Sequence, residues 1–295
     1  MMLSLFALAA FASTSVAVKP IHSHNDYTRA VPLWTALNLS IMSVEADVWW
    51  QSSQLFVAHT SGEIDKTKTL NSLYLANILG IINGTISSPH TVRAPGSPGR
   101  TTAYLRMSRI SVDNPLQLLI DFKSDGPTTF QPVHDALQSL RAAGHLTTFA
   151  NGKLTQGAVT VVGTGNTPLA SVVASNPRDI FFDADIRQLY STKPGVGLEW
   201  GPEIAPLASV DYSSVSSTAQ MQELVRNAHD FGIRSRFWDT ASNVGTWNTF
   251  WAAGSDWVNA DDLQAVSNAW GVFDSTVGAA LAAFDSPQAL LQETS

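Results

Sequence analysis

Residues 43–50 read SVEADVWW, a run of small and apolar side chains interrupted only by Glu45 and Asp47. A strand that is apolar on both faces belongs to a parallel sheet covered by helices, and a period of two sends both carboxylates to one face. Seven further apolar runs follow along the chain, at 20–23, 116–122, 158–163, 179–183, 205–210, 233–238 and 256–259. With SVEADVWW they make eight. Helical patterns lie between them. One starts at Thr128 or Thr129, carries Val133, Leu137 and Leu140 on one face and stops at Gly144; another covers 218–229 and groups Met221, Leu224 and Val225. Eight strands alternating with helices predict an α/β fold, a (β/α)8 TIM barrel, as a single domain over 18–295. The stretch 83–100, NGTISSPHTVRAPGSPGR, is rich in Gly, Ser, Thr and Pro and reads as a surface excursion between the second and third strands.

Composition narrows the function. The chain has 295 residues, of which 44% are hydrophobic and 14% charged, enough to bury a sizeable core. A formal net charge of −7 and the lack of any Lys/Arg run exclude a nucleic-acid binder, and argue against electrostatic adhesion to anionic membranes. No later segment has 18 uncharged apolar residues, so no transmembrane segment is expected. Residues 1–17 hold the apolar stretch LSLFALAAFA and end Ser15-Val16-Ala17, which reads as a signal peptide cleaved before Val18 and predicts a secreted protein. The sequons Asn38-Leu39-Ser40 and Asn83-Gly84-Thr85 fit a glycoprotein on that route. With no cysteine there is no disulfide framework, and the core must supply the stability.

A barrel of this kind gathers its chemistry where strands end and loops begin, so polar residues there are the informative ones. His22 and His24 close the first strand. Glu45 and Asp47 lie in the second, His59 falls within a short strand at 55–59, and Asp121 and Lys123 repeat the i, i+2 spacing on the third. Three carboxylates aimed into one mouth repel each other unless a cation joins them. An all-oxygen ligand set favours Mg²⁺, with Ca²⁺ as the alternative, over Zn²⁺. For His59 a hydrogen-bonded core histidine is the rival reading, and for His24 a residue that orients its neighbours rather than a substrate contact. His90, His134, His145 and His229 sit in loops or helical patterns and read as solvated.

The order His22, Glu45-x-Asp47, His59, Asp121-x-Lys123 resembles the glycerophosphodiester phosphodiesterases and the spider-venom sphingomyelinase D enzymes, members of the phospholipase-C-like (PLC-like) phosphodiesterase superfamily. HSHNDY, SVEADVWW, LLIDFKSDG, VVGTGN, FWDT and WVNADDL, spread from His22 to Leu263, are similar to the fungal altered inheritance of mitochondria protein family. The resemblance implies a barrel in which Glu45, Asp47 and Asp121 bind the metal, His22 and His59 flank the phosphate, and Lys123 neutralises its charge. It also implies that Trp238 and Asn259 line the substrate pocket, and that the substrate is a phospholipid or glycerophosphodiester. This chain has His22-Ser23-His24 where the glycerophosphodiesterase pattern opens His-Arg-Gly, and it lacks the cysteines of the venom enzymes. Two other readings stand beside this one. A metal-dependent amidohydrolase would use His22 and His24 as a zinc pair, and a catalytically silent barrel would only bind a lipid or a partner.

Overall fold

Eight parallel strands pair in chain order and close on themselves: β1 (Ile21–Ser23), β2 (Ser43–Gln51), β3 (Leu116–Phe122), β4 (Val159–Gly165), β5 (Ile180–Asp185), β6 (Leu207–Asp211), β7 (Arg234–Trp238) and β8 (Trp257–Ala260). Ring closure comes from β1, which pairs with β8 on one side and with β2 on the other. This computed structural model describes residues 18–86 and 110–284. The expected signal peptide at 1–17 and most of the 83–100 excursion, with His90, lie outside the described residues.

The strand period of two sorts the side chains between two cores. Val44, Ala46 and Val48 of β2 and Leu118, Ile120 and Phe122 of β3 point outward and join the main apolar core. Each Val, Leu, Ile or Phe among them, when fully buried, contributes roughly 1.5–3 kcal/mol. Inside the ring, Leu119, Val162, Leu207 and Trp257 form a separate small plug. Above that plug, toward the strand C-termini, the inward positions turn polar. Asp47 pairs in register with Asp121, Asp121 with Thr164, and His22 with Asn259. The apolar floor thus seats a polar layer at the mouth.

Three local expectations need correction. The helix expected from Thr128 or Thr129 begins earlier, as Gly126–Ala136, because the Asp125 side chain accepts from the Thr128 N–H and Pro127 fits the first turn without loss of a hydrogen bond. It does not run unbroken to Gly144 either: Leu137 separates it from the short helix Gln138–Ala142. Finally, the strand expected at 55–59 is Gln54–Val57, antiparallel to β2, so His59 lies in the bend beyond it. The helix Thr218–Asp230 agrees with its periodicity and is capped by Ser217. Among the described residues no helix is long and apolar enough to cross a membrane.

Candidate active site

The motif HSHNDY builds one side of the mouth. Asp26 is buried and takes hydrogen bonds from Ser23 Oγ at 2.6 Å, Leu33 N at 2.5 Å and Tyr74 Oη at 3.0 Å, which fixes the turn after β1. Asn25, in the left-handed region at φ 46°, directs its N–H onto Glu45 Oε2 at 3.1 Å. Tyr27 Oη donates to Asp47 Oδ2 at 2.8 Å and lies 3.3 Å from His59 Nδ1. This short motif therefore reaches both carboxylates of β2.

Glu45, Asp47 and Asp121 bring one oxygen each to within 4.8 Å of one another, and among the described residues they are the group in which three such ligand atoms converge. Lys123 Nζ bridges two of them, 3.0 Å from Asp47 Oδ2 and 2.6 Å from Asp121 Oδ2. On the far side, buried Arg236 of β7 extends Nη2 to Glu45 Oε2 at 3.3 Å and donates from Nε to Asn259 Oδ1 at 3.0 Å. Two fixed cations thus face three carboxylates. Asp47 Oδ1 is sealed from solvent and has no hydrogen-bond partner. Burial, then the charges of Glu45 and Asp121, push the Asp47 carboxyl up to about 6 against the opposing pull of Lys123. Burial also raises Asp121, although Lys123 pulls it back. Burial would raise Glu45 too, but Arg236 and the His22 hydrogen bond more than offset it and hold that carboxyl below its usual range. An orphaned buried oxygen, a deficit of positive charge and an all-oxygen donor set fit a hard divalent cation held by Glu45, Asp47 and Asp121.

The two histidines expected as proton carriers stand at neighbouring carboxylates of β2. His22 is fully buried, with Nδ1 2.7 Å from Ser43 Oγ and Nε2 3.4 Å from Glu45 Oε2. Burial and then the Arg236 charge press its pKa down to about 3, so the ring is neutral. His59 has a ring 58% exposed, with Nδ1 3.4 Å from Asp47 Oδ2. His24 places Nδ1 2.9 Å from Asp261 Oδ1 and Nε2 4.0 Å from the same Glu45 oxygen that His22 approaches. Trp238 ends β7 at 39% exposed, outside this hydrogen-bonded cluster, whereas Asn259 is buried within it. His229, expected as solvated, is exposed and also pairs with Asp256 at 2.8 Å.

Sequence reasoning missed Tyr27, Arg236, Asp183 and Asp261. Tyr27 sits inside the HSHNDY motif, and Arg236 lies two residues before Trp238 on the same strand face, so strand parity pointed to it. Asp183 of β5 takes hydrogen bonds from Thr164 Oγ1 at 2.8 Å and Ser209 Oγ at 2.6 Å, while its Oδ1 is sealed and unpaired. Burial pushes its carboxyl up to about 6.

Comparison with known proteins identifies the family and the fold. The model of the family described as AIM6-like phosphodiesterase domain matches residues 11–183. The altered inheritance of mitochondria protein 6 homolog of Arthroderma benhamiae is 30% identical over 272 residues, covering 83% of this chain and 82% of that protein. Altered inheritance of mitochondria protein 6 of Candida glabrata is 30% identical over 296 residues, covering 84% and 70%. A glycerophosphodiester phosphodiesterase of Parabacteroides distasonis shares the fold, with a TM-score of 0.50 at 12% identity over 87% of this chain and 97% of that one. On the match across more than half its length and the relatives covered over most of theirs, the chain belongs to the AIM6-like phosphodiesterase domain family.

Proposed function

We propose that this chain is a metal-dependent phosphoric diester hydrolase or lyase acting on a phospholipid or a glycerophosphodiester. The observation that carries the reading is the convergence of one oxygen each from Glu45, Asp47 and Asp121 to within 4.8 Å of one another. Mg²⁺ matches that oxygen set, with Ca²⁺ as the alternative, and such an ion supplies positive charge where negative charge gathers on the phosphoryl oxygens. Lys123, which contacts both Asp47 and Asp121, adds a second positive charge beside those oxygens. His22, kept neutral, is assigned the role of base or nucleophile, because only the unprotonated ring can accept a proton or attack. His59, open to solvent, is assigned delivery of a proton to the leaving oxygen and can recover one from water. His24, Trp238 and Asn259 are assigned to the surrounding substrate pocket.

The test is a panel of lysophospholipid, sphingomyelin, glycerophosphodiester and amide substrates, with and without EDTA, followed by phosphorus NMR. Phosphodiester turnover that EDTA abolishes supports the reading, and a cyclic phosphate product identifies a substrate hydroxyl as the attacking group. Turnover of amides alone, or binding without turnover, overturns it. We also propose that the protein acts outside the cell, in which case amino-terminal sequencing of extracellular material begins at Val18.

A further inference from the structure

The seam where β1 meets β8 carries a second histidine arrangement that the mechanism above does not use. His24 follows β1 and Asp261 follows β8, and their side chains meet with Nδ1 2.9 Å from Oδ1. The backbone beneath them is locked. His24 N donates to Ala260 O at 3.1 Å, and one guanidinium, that of Arg29, donates to four carbonyls across the seam. Its Nη1 reaches His24 O at 2.9 Å and Asn25 O at 3.1 Å, and its Nη2 reaches Asp261 O at 2.8 Å and Ala260 O at 3.3 Å. Exposed ion pairs are ordinarily worth little because both side chains must be ordered from a mobile state. Here the ordering of the two backbones is supplied separately by Arg29, so the pair is preorganised.

We propose that Asp261 is a positioning residue that fixes the His24 ring, so that His24 accepts a hydrogen bond from a hydroxyl of the substrate through Nε2 at the mouth. An ionised carboxylate only accepts hydrogen bonds, so a ring nitrogen bound to it carries the proton. His24 Nδ1 is thereby committed to Asp261, whose carboxyl is held below its usual range first by that hydrogen bond. The other nitrogen, Nε2, lies 4.0 Å from Glu45 Oε2, on the side where the three carboxylates converge. The ring is 27% exposed and so reachable by a ligand. A carboxylate on one nitrogen of an imidazole and the reacting group at the other is the general arrangement by which histidines are oriented for catalysis. The proposal rests on the phosphodiesterase reading above, and its test separates the two.

The ring state is read by long-range proton–nitrogen NMR on the full chain labelled in histidine, with His24→Gln to assign the signal. At pH 8 the wild type should show His24 protonated on Nδ1, and Asp261→Asn should shift it toward the Nε2–H form that unconstrained histidine prefers. In parallel, Asp261→Asn and His24→Gln should each lower kcat/KM on the best phosphodiester by about 10- to 100-fold, the worth of one charge-assisted hydrogen bond, while Mg²⁺ affinity by calorimetry holds. Asp261→Glu should restore part of the loss. A wild-type His24 that carries its proton on Nε2 overturns the proposal whatever the activity. An active wild type matched by equally active variants also overturns it, and leaves the phosphodiesterase reading standing. A wild type inert on every phosphodiester sinks that reading, and the substrate contact of His24 with it.

Discussion

His59 and His22 occupy different surroundings, and that difference decides what their variants report. The exposed His59 ring can be removed with little structural cost, so His59→Ala should lower kcat by roughly 10²- to 10⁴-fold, as for loss of a general acid, with urea unfolding and Mg²⁺ affinity nearly unchanged. The fully buried His22 touches Ser43 and Glu45, so His22→Ala should combine a comparable loss of turnover with destabilisation of about 1–3 kcal/mol. Normal turnover in His59→Ala would remove that residue from the mechanism. Asp183 offers a test by pH. Its carboxyl titrates at about 6 in the fold against an ordinary value of 3.8, so the folded state binds the proton more tightly. Its contribution is therefore fully present below about pH 4 and is lost as pH rises through about 6, a change on the order of 2–3 kcal/mol. The stability of the wild type relative to Asp183→Asn should fall by that order between pH 4 and pH 7. Parallel pH profiles for the two proteins would exclude Asp183 as the source.

At the scale of elements, β3 and β4 set the position of Asp121 through a glycine. Gly165 ends β4 at φ 62°, and a Cβ added there would overlap Asp121 Oδ1. Gly165→Ala therefore faces both a backbone penalty and a displaced carboxylate. It should cost more than about 1 kcal/mol in stability, by chemical denaturation, and weaken Mg²⁺ binding in calorimetry. Unchanged affinity would show that Asp121 does not hold the ion. The elements themselves were legible in uneven measure. β2 and β3 announced themselves because parallel strands covered on both faces must be apolar throughout. The start of the helix Gly126–Ala136 was misplaced because its cap, Asp125, follows Lys123-Ser124 in a stretch already marked for the site. The position of His59 was misplaced because the turn at Ser52 and Ser53, both at positive φ, starts a hairpin strand that ends at Val57.

For the whole molecule, the site places three carboxylates above an apolar floor, and their mutual repulsion acts on the stability of the barrel. A cation that binds the folded protein and not the unfolded chain stabilises it by mass action, about 2.7 kcal/mol at a hundredfold excess over Kd. Mg²⁺ should raise Tm in a concentration-dependent way, EDTA should reverse the shift, and Asp47→Asn should abolish it. A Tm indifferent to Mg²⁺ and to Ca²⁺ would contradict the metal assignment.

The sequence alone determined the barrel and the inward pairing of Glu45 with Asp47, because strand count and a period of two are local properties of the chain. It also marked Asp121, Lys123, His22 and His24, since each stands at the end of an apolar run. Only the tertiary structure decided which side chains meet. Arg236 reaches Glu45 across 191 residues and His24 reaches Asp261 across 237, by closure of β8 onto β1. No local pattern encodes such contacts: they exist because the ring closes, and closing it turns the far end of the chain into the neighbour of its beginning.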